Sequence, residues 1–368
     1  MTARTPVVTL TPLLGFPEVR PGDALAEVML KALQHNGIEL LDGDILVVSS
    51  KIASKAMGLS APLAEREDMV LSHTVRVVAE RMTPSGVTRI VESAAGPVMT
   101  AAGVDASNTA DESIVLLLPE DPDAVAAEIR DGVQAGWETV HGARLRLGVV
   151  ISDTAGRPWR MGQTDFAVGA CGIQVIDDLR GSTDANGRML SVTERCIADE
   201  IAAAADLVKG KVTGVPAAHV RGLGQYVRDS DLSDSESASG ARDLVRTGPQ
   251  DWFGYGMVEA VRAALGVKPG SAMAFEVGIP FILPEDVATR AMRALRVALL
   301  TCPDVAGEVD GETITLVAPN DFALGVAATR AEVALRGEGL TTTLTRTPAP
   351  TLGDEGLTAY RCVLIVCQ

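Results

Sequence analysis

The apolar stretch from Arg144 to Ser152 constrains this chain most, because it reads as a buried strand and chemistry-bearing residues follow it at once. The run continues Asp153-Thr154-Ala155-Gly156-Arg157 and leads on to Arg160, Gly162, Gln163, Thr164 and Asp165. A rigid ladder aims whatever loop leaves its end, so the Asp153-Thr154 cluster is expected at the end of the strand, in a site. A second buried strand, Asp44-Ile45-Leu46-Val47-Val48-Ser49, runs into Ser50, Lys51, Ser54 and Lys55. A third cluster, Val104-Asp105-Ala106-Ser107-Asn108, repeats the theme of a carboxylate beside neutral oxygen donors. Carboxylate, amide and hydroxyl oxygens suit hard divalent cations, and Arg157 and Arg160 suit phosphate or carboxylate groups. Together they point to a metal-assisted phosphate site.

Each cluster also has a plainer explanation. Asp105, Ser107 and Asn108 are turn formers. Asp153 with Arg157 could be a surface ion pair of little energetic consequence. Ser50, Lys51 and Lys55 fit a solvated basic turn. Lys209-Gly210-Lys211-Val212-Thr213-Gly214-Val215-Pro216 is a glycine-punctuated basic loop whose backbone N–H groups could approach a triphosphate. Neither GxxxxGK[ST] nor GxGxxG occurs, so a nucleotide would not be held by a standard P-loop or dinucleotide fingerprint.

Composition narrows the field. The 368 residues suffice for two domains. Aromatic residues are only 3%, so the core must be built from Ala, Val, Leu and Ile. A net charge of -16 argues against coating nucleic acid or an anionic membrane. No apolar run approaches the ~18 residues of a membrane span, and the N-terminus has no signal stretch, so a cytoplasmic protein is expected. Five scattered cysteines without CxxC spacing read as reduced core thiols. The four histidines are too dispersed for zinc.

Periodicity predicts a strand at Val7–Leu10 and a helix from Ala24 to His35 capped by Asp23. It predicts strands near Arg89–Val91, Pro97–Thr100 and Ile114–Leu118, and helices at Asp121–Ala135 and Val192–Val208. A strand at Val215–Val220 follows. The Ser- and Asp-rich stretch from Asp229 to Gly240 reads as a mobile surface loop. Arg242–Arg246 and Trp252–Leu265 read as helical, with a hinge at Val267–Ser271. Beyond lies an αββαββ pattern: helix Pro284–Leu299, a hairpin at Asp310-Gly311, helix Asn320–Arg336, then strands Thr341–Arg346 and Ala359–Cys367.

In this order the clusters resemble those of the coenzyme F420-0:L-glutamate ligase (γ-glutamyl ligase) family, over about residues 7–253. Carrying the resemblance are Gly15-Phe16-Pro17-Glu18-Val19, Val48-Ser49-Ser50-Lys51-Ile52-Ala53-Ser54-Lys55, Ala102-Gly103-Val104-Asp105-Ala106-Ser107-Asn108, the run from Asp153 to Asp165, and Asp199 to Pro216. The resemblance implies an α+β fold of two intertwined lobes, residues 1–247, followed by a small α+β domain, residues 248–368. It implies a homodimer that adds L-glutamate to F420-0 at the cost of GTP, using manganese or magnesium and a monovalent cation such as potassium. By the same resemblance Asp105, Asp153 and Thr154 bind metal. Phe16, Pro17, Glu18, Val19, Ser50, Lys51, Lys55, Asn108, Lys209, Gly210, Lys211, Val212, Thr213, Gly214, Val215 and Pro216 line the GTP site. Asp153, Arg157 and Arg160 are the expected catalytic set. Lys211 departs from the family pattern, which in some members has a metal-binding glutamine there; a protonated ammonium cannot ligate a cation.

Some relatives carry a flavin-dependent nitroreductase-like domain, and Arg246–Phe253 resembles its junction. The Arg-Arg-Ser-x-Arg start of such domains is absent, and about 100 residues are too few for a complete one. The role of the last hundred residues stays open between structural or dimer support, a substrate lid and a reductase, their pattern being one that a trimmed or diverged remnant could show. Two other functions fit the same residues: a bifunctional ligase and flavin reductase, or a non-catalytic metal- and nucleotide-binding regulator.

Overall fold

The computed structural model describes residues 7–109, 111–228, 240–347 and 360–367. It is a mixed α+β chain of two units, one within Met1–Val75 and Glu92–Arg246, the other within Arg76–Val91 and Thr247–Gln368. The expected loop from Asp229 to Gly240 lies outside the described residues, Gly240 excepted.

The first unit runs β1 (Thr9–Pro12), α1 (Leu25–His35), β2 (Asp44–Ser49), α2 (Ser50–Ala56), β3 (Ser60–Pro62) and α3 (Arg66–Ser72). Strands β4 (Thr74–Thr83) and β5 (Gly86–Ser93) then take the chain into the second unit and back. It resumes with β6 (Val98–Thr100), β7 (Ile114–Leu116), α4 (Pro122–His141), β8 (Leu147–Arg157) and β9 (Arg160–Cys171). The last elements of this unit are β10 (Ile176–Asp178), β11 (Glu194–Cys196), α5 (Ile197–Lys209) and β12 (Ala217–Arg221).

Its main sheet is ordered β1-β12-β2-β8-β9, with β2 and β8 parallel and the other pairs antiparallel. Successive strand residues face opposite sides, and here both sides are covered. Leu46, Val48, Val149 and Ile151 join a core with Met29 and Leu33 of α1 and Ile129 and Val133 of α4. Ile45, Val47 and Val150 join a second core with Ile197, Ile201 and Ala205 of α5. This double burial is why β2 and the first half of β8 read as unbroken apolar runs rather than alternating ones. The largest fully buried side chains are Leu, Ile and Met, as the scarcity of aromatics requires.

Several boundaries differ from the sequence expectation for local reasons. Asp23 does not cap α1: its Oδ2 accepts the Arg20 amide at 2.7 Å, and Ala24 occupies the cap position. Helix α4 is longer than expected, starting from an Asp121 cap on the Ala124 amide and ending where Gly142 takes φ 72°. Ser50–Ala56, expected as a basic turn, is helix. Strand β8 does not stop at Ser152 but carries the acidic cluster within it as far as Arg157. All five cysteines are free, but only Cys302 and Cys362 are fully buried and Cys367 is exposed, so the expectation of core thiols fails there. Among the described residues no helix is long and apolar enough to cross a membrane.

A buried cluster ties the far end of β2 to β12. Asp44 accepts from Arg221 Nη2 at 2.7 Å and from the Leu41 amide at 2.8 Å, with the His219 ring 2.8 Å away. Burial works against its charge, but these partners outweigh it and hold the Asp44 carboxyl at about 2. An unfolded aspartate titrates near ~3.9, so this stabilisation is complete above that value and is lost as pH falls toward the folded one. The Asp44→Asn variant is expected to lose about 2 kcal/mol in urea denaturation at about pH 6, with the gap to wild type closing as pH approaches about 2.

The second unit contains α6 (Met257–Ala264), α7 (Ala272–Val277), α8 (Val287–Leu299), β13 (Ala306–Asp310), β14 (Thr313–Ala318), α9 (Asp321–Gly337), β15 (Thr341–Thr347) and β16 (Tyr360–Cys367). The hairpin expected at Asp310-Gly311 joins β13 to β14, with Gly311 at φ 57°. Asp286 and Asn320 cap α8 and α9, accepting the Thr289 and Ala323 amides. An antiparallel sheet ordered β13-β14-β16-β15 buries Ile314, Leu316 and Leu364 against Ala294 and Ala298 of α8 and Ala327 and Ala331 of α9. The segment expected as a hinge, Val267–Ser271, leads into α7, whose cap is Ser271.

Candidate active site

Because β2 and β8 are parallel and in register, Ser49 facing Ser152, their C-terminal ends open on the same edge of the sheet. Such edges are where open α/β sheets place ligands. The chain leaving β2 becomes α2, whose Lys51 and Lys55 lie one turn apart on one face. Beyond Ser152, β8 presents Asp153 and Thr154. Asp105 reaches the same place from a loop anchored to β7, where it exchanges backbone hydrogen bonds with Leu116.

Lys51 joins the two acidic clusters. Its Nζ lies 2.6 Å from Asp105 Oδ2 and 3.8 Å from Asp153 Oδ1. Ser50 Oγ donates to Asp153 Oδ1 at 3.0 Å. Burial pushes the Asp153 carboxyl above its ordinary value, although Lys51 and Ser50 act to lower it. At Asp105 burial is outweighed by Lys51 and by the Ser107 amide and hydroxyl, which keep that carboxyl below its usual range.

The second part of the site is made by the β8–β9 hairpin. A register shift between Ile151 and Ser152 marks a bulge, a device that re-aims side chains at a strand end. Beyond it Thr154 faces Asp165 directly across the ladder. Asp165 accepts from Thr154 Oγ1 at 2.6 Å, Ser152 Oγ at 2.8 Å and Lys209 Nζ at 2.7 Å. Burial would raise it, but Lys209 and the two hydroxyls hold the carboxyl below its usual range.

These groups surround a cavity of about 370 Å³. Phe16, Pro17, Glu18, Val19, Lys51, Lys55 and Asn108 line it, as do Asp153 and Thr154. From the glycine-punctuated loop, Lys209, Gly210, Lys211, Gly214, Val215 and Pro216 contribute, whereas Val212 and Thr213 do not, Val212 being 95% exposed. Lys55 is paired with Glu18 at 2.6 Å. Lys209 is buried in its pair with Asp165 rather than facing open space, while Lys211 Nζ sits 3.4 Å from Thr154 Oγ1. Asp105 and Ser50 are not among the lining residues; each bonds one that is, Asp105 to Lys51 and Ser50 to Asp153. Arg157 and Arg160 pair with each other in register at the exposed tip of the hairpin and are not among the lining residues.

A family model described as F420-0:gamma-glutamyl ligase matches residues 14–222. The chain belongs to the F420-0:gamma-glutamyl ligase family. It is 34% identical to coenzyme F420:L-glutamate ligase of Halorubrum lacusprofundi over 65% of this chain and 96% of the relative. It is 35% identical to the enzyme of the same name in Haloarcula marismortui, over 65% of this chain and 95% of the relative. The Methanothermobacter thermautotrophicus enzyme of that name is 38% identical, over 58% of this chain and 89% of the relative. The family match encloses every residue of the cavity, and residues 223–368 lie beyond it.

Two carboxylates of this ligase-family site carried no expected role. Asp165 lines the cavity as well and is the centre of the hydrogen-bonded group that holds Thr154. Asp206, on α5, lines the cavity, and burial together with the Asp165 charge raises its carboxyl. The spacing from Thr154 to Asp165 becomes meaningful only once the intervening turn is placed. That turn runs through Pro158 and Trp159, and Trp159 takes φ 59°, a conformation usually left to Gly or Asn. A tryptophan there conceals the hairpin.

Proposed function

We propose that this protein ligates L-glutamate to F420-0 through a γ-linked amide, with GTP as the activating co-substrate. Supporting the reading are membership of the ligase family and one geometric observation: a single ammonium, Lys51, bridges Asp105 and Asp153 and lines a cavity that basic, acidic and glycine residues share.

The donor set fits a magnesium- or manganese-type cation. It offers two carboxylates and a hydroxyl, all hard oxygens. Among the described residues no group of three or more His, Cys, Asp or Glu stands arranged to hold a metal ion, so substrate oxygens would have to supply the rest of the shell. An open set of this kind suits a cation that completes its shell with substrate phosphate oxygens. Asp105, Asp153 and Thr154 would hold the ion, which when bound offsets charge on the phosphoryl group being transferred.

A carboxylate and an amine do not condense in water without activation. A terminal carboxylate oxygen of F420-0 attacks the γ-phosphorus of GTP, the bond to the β-phosphate oxygen breaks, and GDP leaves. The glutamate amine then attacks the acyl carbon of the resulting acyl phosphate, phosphate departs, and the nitrogen loses its proton. Lys51 and Lys211 are placed to neutralise phosphate oxygens, and the Gly210 and Gly214 loop can bring backbone close to them. An acyl phosphate is vulnerable to water, and the apolar side chains of Ile52 and Val19 on the cavity wall would help to displace it. A monovalent cation and an intertwined two-lobe homodimer belong to the same reading.

Incubation of F420-0 with protein, GTP, glutamate and Mn²⁺ is expected to yield glutamyl mass increments by mass spectrometry, with one GDP per increment. Without glutamate, hydroxylamine should trap the activated carboxyl as a hydroxamate. Glutamylation supported equally without any nucleotide would sink the proposed chemistry.

A further inference from the structure

We propose that Asp165 is a positioning residue that fixes the hydroxyl of Thr154 for cation binding, an inference that rests on the metal-assisted reading above. Thr154 has one hydroxyl hydrogen and two oxygen lone pairs. The hydrogen is committed to Asp165 Oδ1 at 2.6 Å, across a directly facing cross-strand pair. One lone pair meets Lys211 Nζ at 3.4 Å. The oxygen therefore faces the cavity as an acceptor. Without an acceptor behind it, the hydroxyl could rotate and aim its hydrogen at an incoming cation.

Both oxygens of Asp165 already accept hydrogen bonds, and the residue lines the cavity beside Thr154, so positioning and direct ligation are told apart by whether its loss depends on Thr154. Oδ1 holds Thr154, and Oδ2 accepts from Ser152 Oγ and Lys209 Nζ. Lys209 Nζ also donates to Ser152 Oγ at 2.7 Å, closing a small ring of hydrogen bonds. The side chains of Asp165 and Lys209 are each only 4% exposed, and a buried hydrogen-bonded network of this kind is rigid. The carboxylate is thus a brace whose charge is balanced by Lys209 and whose Oδ1 holds Thr154.

In Asp165→Asn the remaining carbonyl oxygen is drawn to Lys209 and Ser152. The amide NH₂ then faces Thr154, occupies one of its lone pairs and releases its hydrogen toward the cavity. Mn²⁺ alone is titrated into nucleotide-free protein, and free Mn²⁺ is followed by electron paramagnetic resonance. Asp165→Asn is expected to weaken binding about 10- to 100-fold, the usual effect of losing an outer partner of a metal ligand. Thr154→Val is expected to lose at least as much, and adding Asp165→Asn to it should cost nothing further. Unchanged affinity in Asp165→Asn, or an equal loss in both backgrounds, overturns the positioning role. The double variant Asp165→Val/Lys209→Met removes the acceptor without stranding a buried ammonium, and is expected to show the same loss; restored affinity there overturns the proposal. Wild-type protein that takes up no Mn²⁺ overturns the metal-assisted reading and this inference together.

Discussion

Exchanging Asp153 for asparagine is expected to lower GDP-forming turnover on the order of 10³-fold while leaving the fold intact. The side chain is buried, its carboxylate lies beside Ser50 and 3.8 Å from Lys51, and it occupies the C-terminal edge shared by β2 and β8. Asparagine keeps the shape and can still accept from Ser50, but it removes the negative charge that a cation or Lys51 would meet. Lys51 keeps its closer partner Asp105 at 2.6 Å, so the two clusters stay together. Stability should move the other way from activity. Burial raises the Asp153 carboxyl, so its ionised form at neutral pH opposes folding, and that opposition is absent below the ordinary carboxylate range. The variant should therefore unfold at an equal or higher urea concentration than wild type at about pH 7. Turnover within about tenfold of wild type would remove Asp153 from the site's chemistry.

The largest stability effect is expected in the second unit, at Glu338. Its carboxylate receives Arg262 at 2.9 Å and Arg293 at 2.6 Å, and all three side chains are under 8% exposed. Arg293 has Glu285 in reserve at 2.7 Å, whereas Arg262 falls back on the neutral Gly278 carbonyl. Truncation in Glu338→Ala strands a guanidinium in a low-dielectric interior, a loss of about 3–5 kcal/mol. Glu338→Gln keeps the hydrogen-bonding shape and should lose less. Urea denaturation followed by circular dichroism distinguishes the two, and a loss under about 1 kcal/mol for the alanine variant would show that the network is not closed as described. Neither substitution touches the cavity, so residual folded protein should retain its Mn²⁺ affinity.

Which residues gather around the cavity was partly readable from residue types alone. Asp153 and Thr154, Asn108 of the Asp105 cluster, and Lys51 and Lys55 after β2 line one cavity because each is attached to a strand end or loop anchor with an evident hydrophobic pattern. Strand β2 was legible to the residue, since a run buried on both faces has no competing helical period. The reach of β8 was not. Apolar content stops at Ser152, but the strand continues because β9 pairs with it through Arg157, and pairing is invisible until the Pro158-Trp159 turn is known. For the same reason Arg157 and Arg160 were expected in the site and instead sit at the exposed hairpin tip.

By itself the sequence determined which atoms are available: hard oxygens, ammonium groups and flexible glycine backbone, with no thiolate or imidazole cluster. It also determined the buried strands, because transfer of apolar side chains from water depends on composition and period alone. Only the tertiary structure decided the pairings. Lys51 spans two clusters about fifty and a hundred residues away because a parallel register sets the ends of β2 and β8 side by side. Asp165 became the brace of Thr154 because an antiparallel ladder brings residues eleven apart face to face, and hydrogen bonds act only over such contact distances.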